Sequence, residues 1–216
     1  MASLMFIQLQ NSLRILCNVS VIEFFIDNVE LQEFKGKKVL EIGSKYVNGS
    51  VRPFITRYLH PAQYVGVDVE SGRYVDLVLP AEKLLNRFGR ESFDVVIATE
   101  ILEHVKDWRI VIENIKSVAK AGGVVFVTTR SLGFPYHACP YDYWRYEISD
   151  MKKIFGDFKI VNLTKDLLEP GVFLKAIKPD QWKPCDLTSV AVYSMMFRGM
   201  TTDIPDINFP KESSTR

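Results

Sequence analysis

Residues 38–43 read Lys38-Val39-Leu40-Glu41-Ile42-Gly43, and residues 64–68 read Tyr64-Val65-Gly66-Val67-Asp68. Each is a short run rich in Val, Leu and Ile; a glycine ends the first and a carboxylate the second. Such runs predict strands covered on both faces, as in a parallel sheet. Residues 74–79, 93–98 and 124–129 repeat the pattern. Between the runs lie helical candidates at 50–58, with Pro53 tolerable in the first turn, at 81–88, and at 108–120, where Val111, Ile115 and Val118 share a face.

This alternation predicts an α/β fold: a Rossmann-like, doubly wound, mostly parallel seven-stranded sheet with helices on both faces. A helix at 149–155 precedes two more strand-like runs, 159–163 and 172–177, close enough in sequence to pair antiparallel and supply an antiparallel edge strand. At the amino end Ile15, Val19, Ile22, Ile26 and Val29 recur at helical spacing and predict a helix over 12–31. Asp186 is placed to cap a last helix over 187–198, stopped by Gly199. Beyond Thr201 the polar, proline-interrupted residues 201–216 read as a frayed tail. The division expected is one domain over 1–200, with a helical segment at 12–31, a cofactor half at 37–129 and an acceptor-side half at 130–200.

The chain has 216 residues, of which 47% are hydrophobic and 25% charged, enough for one ordinary core and too balanced for disorder. Its formal charge of +1 argues against a protein that gains its affinity by neutralising nucleic-acid phosphates. Cys17, Cys139 and Cys185 form no paired framework or CxxC spacing, which favours a reducing, cytoplasmic compartment. Gln8, Gln10, Asn11, Arg14, Asn18 and Glu23 interrupt the apolar start, so neither a membrane span nor a signal peptide is expected. Homo-oligomerisation is left open.

Gly43 stands where the first strand must turn and where a ligand can approach bare backbone. Asp68 ends the second strand 25 positions later, near the spacing of about 20 at which an acidic side chain meets a ribose. Together they suggest an adenosine-containing cofactor, with a turn or cap as the other reading of Asp68. A pyrophosphate wants several glycines against a helix N-terminus, whereas this loop continues Ser44-Lys45-Tyr46-Val47-Asn48-Gly49. The bulky residues disfavour a dinucleotide. Glu41, just before the turn, suits a cationic ligand such as S-adenosylmethionine.

At these residues the sequence resembles class I S-adenosylmethionine-dependent methyltransferases over roughly 37–177. The resemblance is carried by Val39-Leu40-Glu41-Ile42-Gly43, by Tyr64-Val65-Gly66-Val67-Asp68, and by Ser92-Phe93-Asp94-Val95-Val96-Ile97 leading into Glu100-Ile101-Leu102-Glu103-His104-Val105. A bacterial and archaeal subgroup also shares Asn48-Gly49-Ser50-Val51-Arg52 and the His137 to Arg145 segment, His-x-x-Pro-Tyr-Asp-Tyr-Trp-Arg. The resemblance implies that Glu41, Gly43, Ser44 and Asn48 hold the methionine part, Asp68 and Val69 the ribose, and Ala81 and Glu82 the adenine, with Thr99 and Glu100 closing the cofactor side. The GxGxG loop and the acidic residue near Pro80 found in many members are absent here.

Fold logic puts the acceptor beside the loop after the fifth strand, giving Arg130, Tyr136, His137, Tyr141, Trp144 and Arg145 as candidates. Trp144 in the core and Asp142 paired with Arg145 is the alternative, purely structural reading of that loop. His104 and His137 are candidate general bases, which a hydroxyl acceptor would need and an already nucleophilic atom would not. Glu100, Glu103 and His104 lack a further hard ligand at fixed spacing, so no metal is expected. Cys139 has no base fixed near it in sequence and reads as an inert thiol. The function expected is in-line transfer of a methyl group from S-adenosylmethionine to an O, N or C atom of a small molecule. A nicotinamide-dependent oxidoreductase and a non-catalytic scaffold on the same fold are the alternatives.

Overall fold

The computed structural model describes residues 19–204 apart from Asn48 and Cys139. The first described element is α1 (Val19–Asn28), followed by a break and the short α2 (Leu31–Phe34). The remainder of the helix expected over 12–31, the tail from residue 205 and the contacts of Asn48 and Cys139 lie outside the described residues. Five runs form β1 (Lys38–Ile42), β2 (Gln63–Asp68), β3 (Leu77–Val78), β4 (Phe93–Thr99) and β5 (Ala119–Arg130). The helical crossovers are α3 (Arg52–Phe54), continuing as a wider turn over Ile55–Leu59; a turn at Ala81–Lys83 leading into α4 (Leu84–Phe88); and α5 (Trp108–Val118). The chain then runs through β6 (Trp144–Arg145), α6 (Ile148–Ile154), β7 (Lys159–Lys165), β8 (Gly171–Ile177), β9 (Val192–Ser194) and β10 (Gly199–Thr201).

Seven strands form one sheet in the order β3-β2-β1-β4-β5-β8-β7. All pairings from β3 to β5 are parallel; β8 runs antiparallel to both β5 and β7. The strand order reverses between β1 and β4, which opens a crevice at their carboxyl ends. Alternate side chains feed two cores. Leu40, Val96, Ala98 and Val125 pack with α5 and α6, while Val39, Val95, Ile97 and Phe126 pack with α1 and α2. On the second face Phe25 stacks on Phe126 at 4.7 Å and Phe24 meets Phe173 at 5.2 Å between ring centres. Among the described residues no helix is long and apolar enough to cross a membrane.

The structure corrects three expectations. Residues 74–76 are not strand: Tyr74 is left-handed at φ 72°, and the Asp76 carboxylate accepts the Gly66 N–H at 2.7 Å and binds Arg52 at 2.8 Å. Pairing therefore starts at Leu77. The segment 187–198 is not a helix but the lead into a hairpin, in which β9 pairs antiparallel with β10 and β6. Arg109 ties this segment down, its guanidinium donating to the carbonyls of Leu187 and Val190 and, past the segment, of Thr202 at 2.5–2.8 Å, while the Leu187 carbonyl also accepts the Val190 N–H in a single turn. Asp186 caps only a single turn, accepting the Thr188 N–H at 2.8 Å. The helix expected over 108–120 ends at Val118, because Ala119 already pairs with Phe93 and opens β5.

Candidate functional site

At the end of β1 the chain folds over towards β2. Gly43 is left-handed at φ 75°, and the N–H groups of Gly43 and Ser44 both donate to the Val67 carbonyl, at 2.9 and 3.1 Å. A Cβ on Gly43 would stand 2.0 Å from Ile101 Cγ2, so the glycine is required by conformation and by contact. Gly66 is equally constrained: its Cβ would lie 2.2 Å from the Tyr74 carbonyl and 2.7 Å from Ser44 Oγ. A lone glycine inside a strand pattern signals a close backbone approach of this kind, and Gly66 was open to that reading in the sequence.

Three buried polar atoms beside this turn have no hydrogen-bond partner among the described residues: Glu41 Oε2, Ser44 Oγ and the Tyr64 hydroxyl. Ser50 Oγ reaches only the other Glu41 oxygen, at 3.5 Å. Burial pushes the Glu41 carboxyl up to about 7, against the pull of the Tyr64 hydroxyl, Arg52 and Ser50. A buried carboxyl and hydroxyl left open are costly unless a ligand supplies donors. The amino group of S-adenosylmethionine supplies such donors.

Asp68 lies beside them, half-buried. Its two oxygens accept the N–H groups of Lys45 at 3.0 Å and Glu70 at 3.1 Å, so it does cap its own turn and also anchors the loop after β1. A carboxylate has further lone pairs for a ribose. The Leu79 N–H donates to the Asp68 carbonyl at 2.8 Å, which brings Ala81 and Glu82 to the same edge; Val69 is exposed beside it. Thr99 and Glu100 close the other side, where Glu100 is left-handed at φ 54° and ion-paired with Arg130. Burial and then the Glu103 charge raise the Glu100 carboxyl to about 8, with Arg130 opposing.

The residues expected to meet an acceptor lie on the turn at Leu102–His104 and the loop after β5. Glu103 is fully buried; Oε2 accepts the Thr129 hydroxyl at 2.9 Å, and Oε1 stands 4.0 Å from His137 Nε2. Burial raises the Glu103 carboxyl. His104 Nδ1 donates to the Tyr141 carbonyl at 2.6 Å, and burial lowers its ionisation. The His104 and His137 rings meet edge to face at 4.8 Å. Asp142 raises the ionisation of His137, whose Nδ1 lies 3.1 Å from the Asp142 carboxylate. Glu103, His104 and His137 each offer a donor atom, and all three atoms lie within 4.8 Å of one another, so they could share a proton or a cation.

Not every acceptor candidate presents itself. Trp144 is enclosed, its indole N–H bonded to the Val105 carbonyl at 3.0 Å, and Arg145 is equally enclosed by Asp142 and the carbonyls of Phe134 and Pro135. Both support the loop from beneath and offer a ligand no surface. Arg130 is also inward, held by Glu100, Glu169 and Asp166 and lying 4.1 Å over the Phe134 ring. Tyr136 is exposed and Tyr141 partly so, at the rim.

Residues 19–156 match the model of a family described as a methyltransferase domain. The chain belongs to this methyltransferase family. Over 107 residues the methyltransferase is 33% identical to the ubiquinone biosynthesis O-methyltransferase of Idiomarina loihiensis, covering 44% of this chain and 42% of that one. It therefore spans under half the length of that curated relative. Its fold is similar to that of 1,6-didemethyltoxoflavin-N1-methyltransferase from Burkholderia thailandensis, solved with S-adenosylhomocysteine, at 14% identity and a TM-score of 0.55, covering 68% of this chain and 72% of that one. It is also similar to the [4+2]-cyclase SpnF, at 15% identity and a TM-score of 0.57, covering 74% and 80%. The likeness to SpnF shows that this fold alone does not settle the chemistry.

Proposed function

We propose that this methyltransferase moves a methyl group from S-adenosylmethionine to a hydroxyl oxygen of a small molecule, with His137 taking the proton. The observation that carries the reading is the pair His137 Nε2 and Glu103 Oε1, which face each other 4.0 Å apart at the carboxyl end of the sheet. The 4.0 Å line is too short to hold an oxygen, but a hydroxyl set to one side of it can reach His137 Nε2, whose side chain is about a third exposed, with the fully buried Glu103 behind. The methyl donor is S-adenosylmethionine, which supplies an electrophilic methyl group on a sulfonium. Glu41 and Ser44 would hold its amino acid end and Asp68 its ribose, beside Ala81 and Glu82. The chain's own part is to hold the acceptor oxygen in line with that methyl group, and orientation of this kind supplies a large share of such a barrier.

Oxygen is favoured over an amine because a neutral hydroxyl profits most from a base, worth about 10²–10⁴ in rate. The curated relative named above is itself an O-methyltransferase. A cytoplasmic setting agrees with the free thiol of Cys185. The test is transfer of labelled methyl to phenolic, sugar-hydroxyl and amine acceptors by wild type and His137→Gln. The reading expects turnover of a hydroxyl acceptor, loss of rate with donor affinity intact in the variant, and indifference to EDTA. Full activity of H137Q would overturn the base assignment.

A further inference from the structure

The carboxylate of Asp142 has four contacts, and their distribution is informative. Arg145 grips it from one side, with Nη1 at 2.5 Å from Oδ1 and Nη2 at 2.6 Å from Oδ2. The other two go to a single residue: Oδ2 accepts the backbone N–H of His137 at 2.8 Å and lies 3.1 Å from its Nδ1. Both side chains of the Asp142–Arg145 pair are fully buried. A structural pair needs only Arg145 to satisfy Asp142. Here one carboxylate accepts the His137 backbone N–H and stands at ion-pair distance from the ring Nδ1, which makes no other hydrogen bond among the described residues, and the Arg145 guanidinium, bound also to the Phe134 and Pro135 carbonyls, holds the carboxylate.

We infer that Asp142 is a positioning residue for His137, keeping the proton on Nδ1 and turning the Nε2 lone pair towards the space before Glu103. The inference rests on His137 being the base. A carboxylate 3.1 Å from one ring nitrogen favours the proton on that nitrogen, because a lone pair there would face the carboxylate charge. The rings of Phe134, at 4.9 Å, and His104, at 4.8 Å, meet the imidazole edge to face. The charged and titratable groups that face it are Asp142 and Arg145 from its own loop and Glu103 and His104 from the turn after β4. When the acceptor O–H bond breaks, its proton goes to Nε2. The resulting imidazolium stays next to the Asp142 carboxylate, as the O–CH3 bond forms and the S–CH3 bond breaks.

The experiment is ¹⁵N–¹H NMR of the full chain, whose three histidines are assigned with H137Q and H104Q variants. Neutral His137 is expected as the Nδ1–H tautomer in wild type, a measurement that needs no substitution at Asp142. Asp142→Asn should mix the tautomers and lower kcat about 100-fold, the lower end of what a base contributes, with KM nearly unchanged. An Nε2–H tautomer in wild type, or a folded D142N with unchanged tautomer and kcat, overturns the inference. The Nδ1–H tautomer combined with full activity of H137Q would support the positioning and defeat the base reading instead; the two can fail separately.

Discussion

Replacing Gly43 by alanine adds one methyl group at the point where β1, β2 and the turn after β4 converge. Two costs follow. Alanine must adopt φ 75°, which costs an L-residue about 1–2 kcal/mol. Its Cβ must also displace Ile101, whose Cγ2 lies 2.0 Å from that position. Ile101 is β-branched and stiff at χ1, so overpacking of about 1–3 kcal/mol is added. Together the substitution should destabilise the fold by about 2–5 kcal/mol, and it should also weaken donor binding, because the displaced turn carries Glu100. Urea unfolding of wild type, Gly43→Ala, Ile101→Ala and the double variant separates the costs. In the G43A/I101A background the steric part should vanish and only the conformational 1–2 kcal/mol or so should remain. A G43A protein as stable as wild type would refute both the left-handed backbone and the contact.

Further consequences can be checked directly. Glu41 keeps its proton up to about pH 7 in the folded chain against an ordinary 4.5, so stability should fall by up to about 3 kcal/mol as pH rises from 4.5 to 7. Glu41→Gln should flatten that slope in urea melts, and an unchanged slope would count against the buried carboxyl. The acid limb of kcat/KM should lie above pH 6.5, since Asp142 raises His137 and the base must be neutral to act; a limb at or below 6.5 contradicts the assignment. Arg109→Met should expose residues 187–203 to hydrogen exchange while the seven-stranded sheet stays protected, because the arginine holds that segment's carbonyls. Equal protection in the variant would mean that other contacts hold the hairpin.

The sheet was legible because its strands are continuous apolar runs. Lys38–Ile42 was readable to the residue, and the order of runs predicted the crevice at which Glu41, Gly43 and Asp68 now meet. Where pattern failed, a distant side chain had taken over the backbone. Nothing near 187–198 shows that Arg109 will claim its carbonyls, and nothing near 74–76 shows that Asp76 will turn back to Gly66. The loop after β5 stood out for its aromatic and charged residues, and its enclosed Trp144 and Asp142–Arg145 pair match the structural alternative that the sequence offered, while the enclosure of Arg130 was not legible. The further partner of Asp142 was not legible either, since it is the backbone N–H of His137 five positions before it, beside the arginine three positions after it.

A crevice formed by Glu41, Gly43, Ser44 and Asp68 that holds S-adenosylmethionine should be visible in isothermal titration of the folded full chain with S-adenosylmethionine and with S-adenosylhomocysteine. Saturable one-site binding of at least one of them is expected, clearly weakened in Asp68→Ala while the variant still folds. No heat with either ligand, or equal affinity in D68A, would contradict it.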